Sequence, residues 1–243
     1  MYNVKSLPKT PSTTKTGQVT VKNRYLSFAL FQLMLIASQA ADDSVPSMRV
    51  QLGPVNAVGI KRNGKIIAVY RAAQPAVRLL ITHHRRDVTS RASGDNGKTA
   101  TVLAPAAEAK YFLETSAYWE AFWKKRFHYY TQQSTKILVE PVKVERWVKG
   151  GDVVEVEGIR FEVIDTPGFT RGSVSYLATI DDKRVAFTGD LIYGDGKIFD
   201  LYSFQDAIPE ARVGGYHGYA ARLADLVPSL RKIKEAKPDV IYP

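Results

Sequence analysis

Cysteine is absent from the 243 residues of this chain. A disulfide framework and a thiolate metal site are therefore both excluded. The absence fits an oxidising compartment as well as a reducing one, so it does not locate the protein. With 45% hydrophobic and 24% charged residues, the chain is long enough for one domain with a sizeable core and below the length at which a second is expected.

Acidic residues are missing from the first 41 positions, where five lysines and arginines occur. An apolar run follows over 25–37, and Ser38-Gln39-Ala40 then offers small residues at the positions that a signal peptidase reads. The pattern predicts that residues 1–40 are a signal peptide and that the protein is secreted, either periplasmic or extracellular. The run is shorter than the ~20 residues that span a bilayer, so no stable span is expected after cleavage. An uncleaved membrane anchor is the alternative.

Removal of this segment lowers the formal net charge from +10 to about +5, because it carries basic residues only. The densest basic runs after it, Arg85-Arg86 and Lys124-Lys125-Arg126, are short. A modest excess spread along the chain is typical of a solvated surface. Nucleic acid is therefore not an expected partner.

A short apolar run ends in a cluster of polar side chains. Residues 77–81 are apolar except for Arg78, and Thr82-His83-His84-Arg85-Arg86-Asp87 follows. The run predicts a buried strand, and the cluster predicts a loop at its carboxyl end, where layered α/β proteins bind ligands. Imidazole, guanidinium and carboxylate groups there suit a metal ion, a phosphate or a carboxylate.

Two further predicted strands end in polar loops. Residues 160–164 precede Asp165-Thr166-Pro167-Gly168-Phe169, and residues 185–188 precede Gly189-Asp190. We expect the three loops to meet at one edge.

In order and spacing, these segments resemble the metallo-β-lactamase-fold hydrolases, over about residues 54–243. They read Thr-His-x-x-x-Asp at 82–87, Asp-Thr-Pro-Gly-x-Thr-x-Gly-Ser-x-Ser-Tyr at 165–176 and Phe-Thr-Gly-Asp at 187–190. The resemblance implies an αββα sandwich of two mixed β-sheets flanked by helices, formed by residues 41–243. It also implies zinc or another divalent metal, and hydrolysis of a small-molecule ester, amide or phosphoester.

Several ligand positions of that family are replaced here. Its first motif, Thr-His-x-His-x-Asp-His, matches this chain at its first histidine and at its aspartate. Arg85 stands at the second histidine position and Val88 at the third. Phe169 stands where a histidine usually follows Pro-Gly. The family's last histidine follows a strand such as residues 239–243, where this chain stops, and a domain cut short at its C-terminus is an expectation left open.

The resemblance therefore implies a reduced metal site in place of the usual two-zinc site. Its ligands would be His83, Asp87 and Asp190, with Asp87 as a catalytic group. Four other side chains are candidates for additional metal ligands or substrate contacts: His84, Arg85, Asp165 and His217. His83 and His84 alternate along the backbone, so one of them is expected to face away.

Arg85 supports a second interpretation. A guanidinium group stays protonated in proteins and repels a divalent cation, and it can pair with Asp87 or Asp190 in the cation's place. His83 would then hydrogen-bond Asp190, and Asp87 would cap a helix. On this interpretation the chain is a metal-free protein that binds an anionic ligand, or a pseudoenzyme on the same fold.

The remaining segments carry clear local signals. Asn63-Gly64 between two β-rich runs predicts a hairpin, and Pro105 predicts the start of a helix over 106–113. The aromatic stretch 118–130 predicts a helix packed on the core, or a flap whose His128 and Tyr130 reach a ligand. A helix is also predicted over 223–236, where Pro228 implies a kink or a fresh start.

Overall fold

The computed structural model describes residues 47–51, 56–70, 75–89, 92, 100–122, 124, 138–193, 196–198, 207–208, 213–214 and 223–243. The predicted signal peptide, His128, Tyr130 and His217 lie outside the described residues. All described residues fall within one compact unit, Asp42–Pro243.

The first sheet is formed by six strands that follow the chain order. They are β1 Ser47–Gln51, β2 Ala57–Arg62, β3 Lys65–Val69, β4 Arg78–Leu80, β5 Thr101–Pro105 and β6 Arg146–Val148. The first three strands pair antiparallel, whereas β3 to β6 pair parallel, so the sheet is mixed. None of the residues described between β3 and β4 is helical, in agreement with the short connection in the sequence.

The second sheet has five strands in the order β13-β10-β9-β8-β7. They are β7 Val153–Val156, β8 Ile159–Asp165, β9 Val174–Ile180, β10 Lys183–Phe187 and β13 Val240–Tyr242. Only β13 pairs parallel to its neighbour, so this sheet is mixed as well. A separate short pair is formed by β11 Ala207–Ile208 and β12 Val213–Gly214.

Helices accompany both sheets. They are α1 Arg86–Thr89, α2 Ala109–Leu113, α3 Thr115–Phe122 and α4 Leu223–Glu235, with single 3₁₀ turns at Ala106–Glu108 and Gly189–Leu191. Two mixed sheets flanked by helices form the predicted αββα sandwich. No helix within the described ranges is both long and apolar enough to cross a membrane.

The core follows from the period of two along the strands. In β8, Ile159, Phe161 and Val163 are buried, whereas Arg160 is exposed and Glu162 is half-buried. Side chains from both sheets belong to the same buried cluster, among them Leu80 of β4 and Phe161 of β8. Burial of each such apolar side chain contributes about 1.5–3 kcal/mol, and this burial holds the two sheets together.

The hairpin predicted at Asn63-Gly64 and the helix predicted after Pro105 are both present. Asn63 and Gly64 have φ of 51° and 71°, as a two-residue hairpin turn requires. The helix after Pro105 begins as the 3₁₀ turn at Ala106–Glu108 before it becomes α-helical. Of the two alternatives for Pro228, the structure excludes the fresh helix, because α4 continues through this residue.

Candidate metal centre

Three polar side chains meet at one end of the sandwich. His83 follows β4, Asp87 lies in α1, and Asp190 lies in the 3₁₀ turn after β10. Their ligand atoms all lie within 4.8 Å of one another. The expected convergence of the loops after β4 and β10 is therefore observed in the geometry.

The loop after β4 is held by hydrogen bonds from the second sheet. Tyr176 of β9 donates its hydroxyl to the carbonyl of Ile81 at 2.9 Å. The backbone N–H of Val174 donates to the carbonyl of Thr82 at 2.9 Å. These two bonds cross from one sheet to the other immediately before His83 and limit how far its loop can move.

The loop after β10 depends on a glycine and a tyrosine. Gly189 has φ +54°, and a Cβ there would lie 2.6 Å from Oγ1 of Thr82. Its N–H donates to the hydroxyl of Tyr70 at 2.8 Å, and that hydroxyl donates to the carbonyl of Tyr242 at 2.7 Å. The Thr-Gly-Asp sequence therefore requires glycine in order to bring Asp190 close to the first loop.

His83 and Asp190 are in direct contact. His83 is 1% exposed, and its Nε2 lies 3.2 Å from Oδ2 of Asp190. Burial alone lowers the pKa of His83, but the hydrogen bond and the negative charge of Asp190 outweigh burial and raise that pKa above its usual value. The N–H of Arg85 donates to Nδ1 of His83 at 3.3 Å, so Nε2 carries the proton donated to Asp190.

Asp87 brings a second carboxylate to the site. It lies in the first turn of α1, where Oδ1 accepts the N–H of Val88 at 3.0 Å. By surface area Asp87 is exposed, yet protein atoms crowd its carboxylate. This desolvation and then the charge of Asp190 raise the pKa of Asp87. Two neighbouring carboxylates favour a cation between them, because like charges at short range oppose the ionisation of both.

Arg85 and Phe169 fill the space beside His83. Arg85 is 5% and Phe169 is 6% exposed. The guanidinium carbon lies 5.3 Å from the centre of the Phe169 ring, within the range of a cation–π interaction. The same ring lies 5.0 Å from the imidazole of His83. Burial lowers the pKa of Arg85, and the carboxylate of Asp87 opposes that change.

His84 faces away from this cluster, as expected for one of the two histidines. Its Nδ1–H donates to Oε2 of Glu108 at 2.7 Å, and its ring stacks on Tyr111 at 3.9 Å between centroids. Burial lowers the pKa of His84. Burial alone raises the pKa of Glu108, but the charge and hydrogen bond of His84 outweigh it and lower that pKa to about 2. Glu108 is therefore a carboxylate near pH 7 and accepts the Nδ1–H of His84.

Glu108 and Tyr70 were missed by the sequence analysis. Both act through contacts with residues far along the chain, and the family motif contains neither. A glutamate just after Pro105 on a predicted helix resembles an ordinary surface residue, since glutamate is seldom fully buried.

Two other candidates do not join the cluster. Oδ1 of Asp165 accepts the N–H of Gly150 at 2.6 Å, and the residue is exposed at the end of β8. The next residue, Thr166, is completely buried. Alternation along the strand therefore turns Asp165 towards the turn at Gly150, and the structure does not bring it to the cluster of His83, Asp87 and Asp190. His217 lies outside the described residues, so its role stays a prediction.

The three side chains His83, Asp87 and Asp190 suit one divalent cation as ligands. Zinc lies about 2.0–2.2 Å from histidine nitrogen and carboxylate oxygen, so its ligand atoms are roughly 3–4 Å apart. The ligand atoms of His83, Asp87 and Asp190 lie within 4.8 Å of one another, and Nε2 of His83 is 3.2 Å from Oδ2 of Asp190. Metal binding through Nε2 would require the other neutral tautomer of His83, with its proton on Nδ1. Arg85 and Phe169, which are both described, offer no ligand atom for a second cation at their two positions.

The three side chains are of the types that ligate a divalent metal ion, and they lie at one end of the αββα sandwich. The chain belongs to the metallo-β-lactamase superfamily, whose family model matches residues 97–243. That match begins after the loop of His83.

Relatives that are similar in sequence include a thioesterase and a hydrolase. Human acyl-coenzyme A thioesterase MBLAC2 is 28% identical over 144 residues, which are 59% of this chain and 43% of the relative. Hydroxyacylglutathione hydrolase of Hyphomonas neptunium is 41% identical over 59 residues, which are 24% of this chain and 22% of the relative. The chain thus spans less than half the length of these curated relatives.

Solved structures share the fold. One of them is a metallo-β-lactamase of Cronobacter sakazakii that is described by its HARLDQ motif. It has a TM-score of 0.50 and 15% identity, and the similarity covers 77% of this chain and 70% of that protein.

Proposed function

We propose that this chain is a hydrolase of acyl thioesters that works with one divalent metal ion held by His83, Asp87 and Asp190. The observation that carries the proposal is the convergence of these three donors within 4.8 Å. Three protein ligands with one position left open are the usual arrangement of a catalytic zinc site.

The substrate class is supported by the relatives in sequence. One relative is called an acyl-coenzyme A thioesterase and the other a hydroxyacylglutathione hydrolase. Both names describe cleavage of an acyl group from a thiol. In that reaction water adds to the carbonyl carbon, the carbon–sulfur bond breaks, and a carboxylic acid and a free thiol are released.

The arginine in the first motif has a parallel. The HARLDQ motif of the Cronobacter sakazakii metallo-β-lactamase has histidine, arginine and aspartate at its first, third and fifth positions. This chain has His83, Arg85 and Asp87 at the same spacing. The parallel supports arginine at this position as compatible with a metal-dependent site.

Each residue has a separate task in this proposal. A divalent ion held by these residues would supply a water of lowered pKa, about 7, and would polarise the carbonyl under attack. Asp87 would help to hold the ion, and the second oxygen of its carboxylate would accept the proton of the attacking water. Arg85 provides a fixed positive charge beside His83, where it can stabilise negative charge that develops on the carbonyl oxygen.

A metal-free, anion-binding protein is the second candidate. The direct contact between His83 and Asp190 favours it, because the pair is already satisfied without a cation. The buried guanidinium of Arg85 would then bind a carboxylate or phosphate group of the ligand.

Metal content and thiol release separate the two candidates. The purified chain is reconstituted with zinc, iron or manganese, and bound metal is measured by mass spectrometry. Release of thiol is then measured from acetyl- and palmitoyl-coenzyme A and from S-lactoylglutathione, with a p-nitrophenyl ester, a β-lactam and a phosphoester as other classes. We expect one equivalent of metal and hydrolysis of a thioester. Metal below about a tenth of an equivalent favours the metal-free candidate.

Asp190→Asn tests the ligand set. The substitution removes one negatively charged metal ligand, so we expect the variant to lose both bound metal and thiol release. Asp182→Asn is the matched control, because Asp182 is an exposed turn residue with φ +58°, a conformation that asparagine tolerates. Equal metal content in the two variants would contradict the ligand assignment.

A further inference from the structure

Glu108 joins the loop of His83 to the loop of Phe169. Its side chain is 1% exposed. Oε2 accepts the backbone N–H of His84 at 2.6 Å and the Nδ1–H of His84 at 2.7 Å, while Oε1 accepts the backbone N–H of Gly172 at 3.1 Å. Gly172 follows Phe169 by three residues, so one carboxylate connects two loops of the candidate site.

This junction requires a carboxylate. An ionised carboxylate only accepts hydrogen bonds, whereas the amide of glutamine would place its NH₂ group against at least one of the three N–H groups. Hydrogen bonds to a charged acceptor are roughly twice as strong as neutral ones. Glu108 is ionised well below neutral pH, with a pKa of about 2.

The junction also requires a close approach of the second loop. A Cβ on Gly172 would lie 2.5 Å from Cγ of Glu108 and 2.8 Å from Cβ of Ala107. Only glycine leaves room for the backbone N–H to reach the carboxylate without displacing these atoms.

The contact reaches His83 through the backbone. The N–H of His84 belongs to the peptide unit that begins at the carbonyl carbon of His83, and a peptide unit is planar. Glu108 therefore holds that plane, and it holds the His84 ring on its own side. His83 is then directed towards Asp190 and Phe169.

We propose that Glu108 is a positioning residue for His83. By holding the peptide unit between His83 and His84 together with the loop of Phe169, its carboxylate sets the direction in which Nε2 of His83 faces Asp190. Without that carboxylate, the two loops lose their shared hydrogen-bond acceptor, and the His83 ring loses its fixed orientation.

Histidine NMR of the metal-free protein tests this directly. The chain has four histidines, so ¹⁵N-histidine labelling gives a small set of ring signals, assigned with His83→Asn and His84→Asn. In Glu108→Gln we expect loss of the protected Nδ1–H signal of His84 together with a shift or broadening of the His83 signals. Circular dichroism confirms that the variant is folded.

Glu145→Gln is the control. Oε2 of Glu145 also accepts a backbone N–H, from Val102 at 2.7 Å, but it has no hydrogen bond to the His83 loop among those described. We expect the signals of His83 and His84 to remain unchanged in this variant. A folded Glu108→Gln protein with unchanged His83 signals overturns the proposal, because Glu108 then orients His84 alone.

Metal affinity provides a second measurement, and this one rests on the proposed function. We expect Glu108→Gln to weaken zinc binding by about 10–100-fold in competition with a chelator, as supporting residues of metal sites do. Glu145→Gln should bind zinc like the unmodified chain. If the unmodified chain binds no metal, the proposed function fails, while the NMR result still decides the role of Glu108.

Gly172→Ala covers the case in which Glu108→Gln does not fold. It keeps the carboxylate and forces the second loop away from it, so we expect the same change in the His83 signals. Gly59→Ala is its control, since a Cβ there meets only Cγ2 of Ile66 at 3.7 Å, an ordinary contact. Unchanged His83 signals in folded Gly172→Ala also overturn the proposal.

Discussion

Nε2 of His83 lies 3.2 Å from Oδ2 of Asp190, although the two residues are 107 positions apart in the chain. The contact links the loop that follows β4 in one sheet to the loop that follows β10 in the other. It places an imidazole and a carboxylate at the same end of the sandwich, next to the second carboxylate of Asp87. The same two side chains can either hold a cation together or pair with each other in its place.

Restoring histidine at two replaced positions should create a second metal site. In Arg85→His/Phe169→His, two neutral imidazoles replace a cation and a phenyl ring that face each other across 5.3 Å. We expect the bound metal to rise from one to two equivalents, measured by mass spectrometry after reconstitution. Arg86→His, at an exposed neighbouring position, should leave the content at one. An unchanged content in the double variant means that the two positions do not face a common site.

Acid unfolding should depend on Glu108. Folding lowers its pKa from 4.5 to about 2, so its contribution to stability is fully present above pH 4.5. That contribution is lost as the pH falls towards 2, and it amounts to about 3 kcal/mol. Urea denaturation of the metal-free protein as a function of pH measures this loss. In Glu108→Gln the slope of stability over this range should be smaller, and identical slopes would argue against the lowered pKa.

The hydroxyl of Tyr70 should stabilise the loop of Asp190. Tyr70→Phe leaves the N–H of Gly189 and the carbonyl of Tyr242 without this partner. A buried group that loses its hydrogen bond costs about 1–3 kcal/mol, which thermal denaturation detects. Tyr242→Phe is the matched variant, because it removes a hydroxyl but keeps the carbonyl that Tyr70 contacts. If both variants lose the same stability, the bridge through Tyr70 is not the cause.

Gly189 should tolerate no side chain. Its φ of +54° and the 2.6 Å approach of Thr82 Oγ1 both oppose alanine. Gly64→Ala measures the cost of the backbone conformation alone. Gly64 has φ +71°, and a Cβ added there would have nothing within 4 Å. We expect each alanine to cost about 1–2 kcal/mol for the backbone conformation, and Gly189→Ala to cost more because of the clash. Equal losses in unfolding free energy would show that Thr82 moves aside freely.

Export should remove residues 1–40. After expression in a bacterium with a secretion pathway, we expect the mature protein in the periplasm or medium, with Ala41 at its N-terminus by intact mass. Replacing Ser38 and Ala40 with lysine should block cleavage, because the peptidase site accepts small residues. A full-length chain in the membrane fraction would instead support the uncleaved anchor.

The order of local signals predicts most of the architecture. The Asn63-Gly64 hairpin depends on the backbone preferences of two adjacent residues, and the strand ending at Asp165 depends on alternation within one segment. Such features are properties of short stretches, so they can be inferred without any knowledge of distant partners. The loops of His83 and Asp190 were found in this way as well.

The contacts that each site residue makes cannot be inferred from short stretches in this way. Alternation implies that one of His83 and His84 faces away, but it does not identify which one, because that choice depends on Glu108 and on the Phe169 loop. Asp165 was a candidate because it ends a predicted strand, but its carboxylate accepts the N–H of Gly150. That contact also joins residues that are distant in sequence.

The sequence by itself determined the loop positions of His83, Asp87 and Asp190, because these depend on local patterns. The order of its motifs carried the resemblance that implied the family and the two mixed sheets. Only the tertiary structure decided which polar groups of those loops meet. Burial of an ionised or polar side chain such as Glu108 is stable only when distant donors satisfy it, and those donors become its neighbours only after the chain has folded.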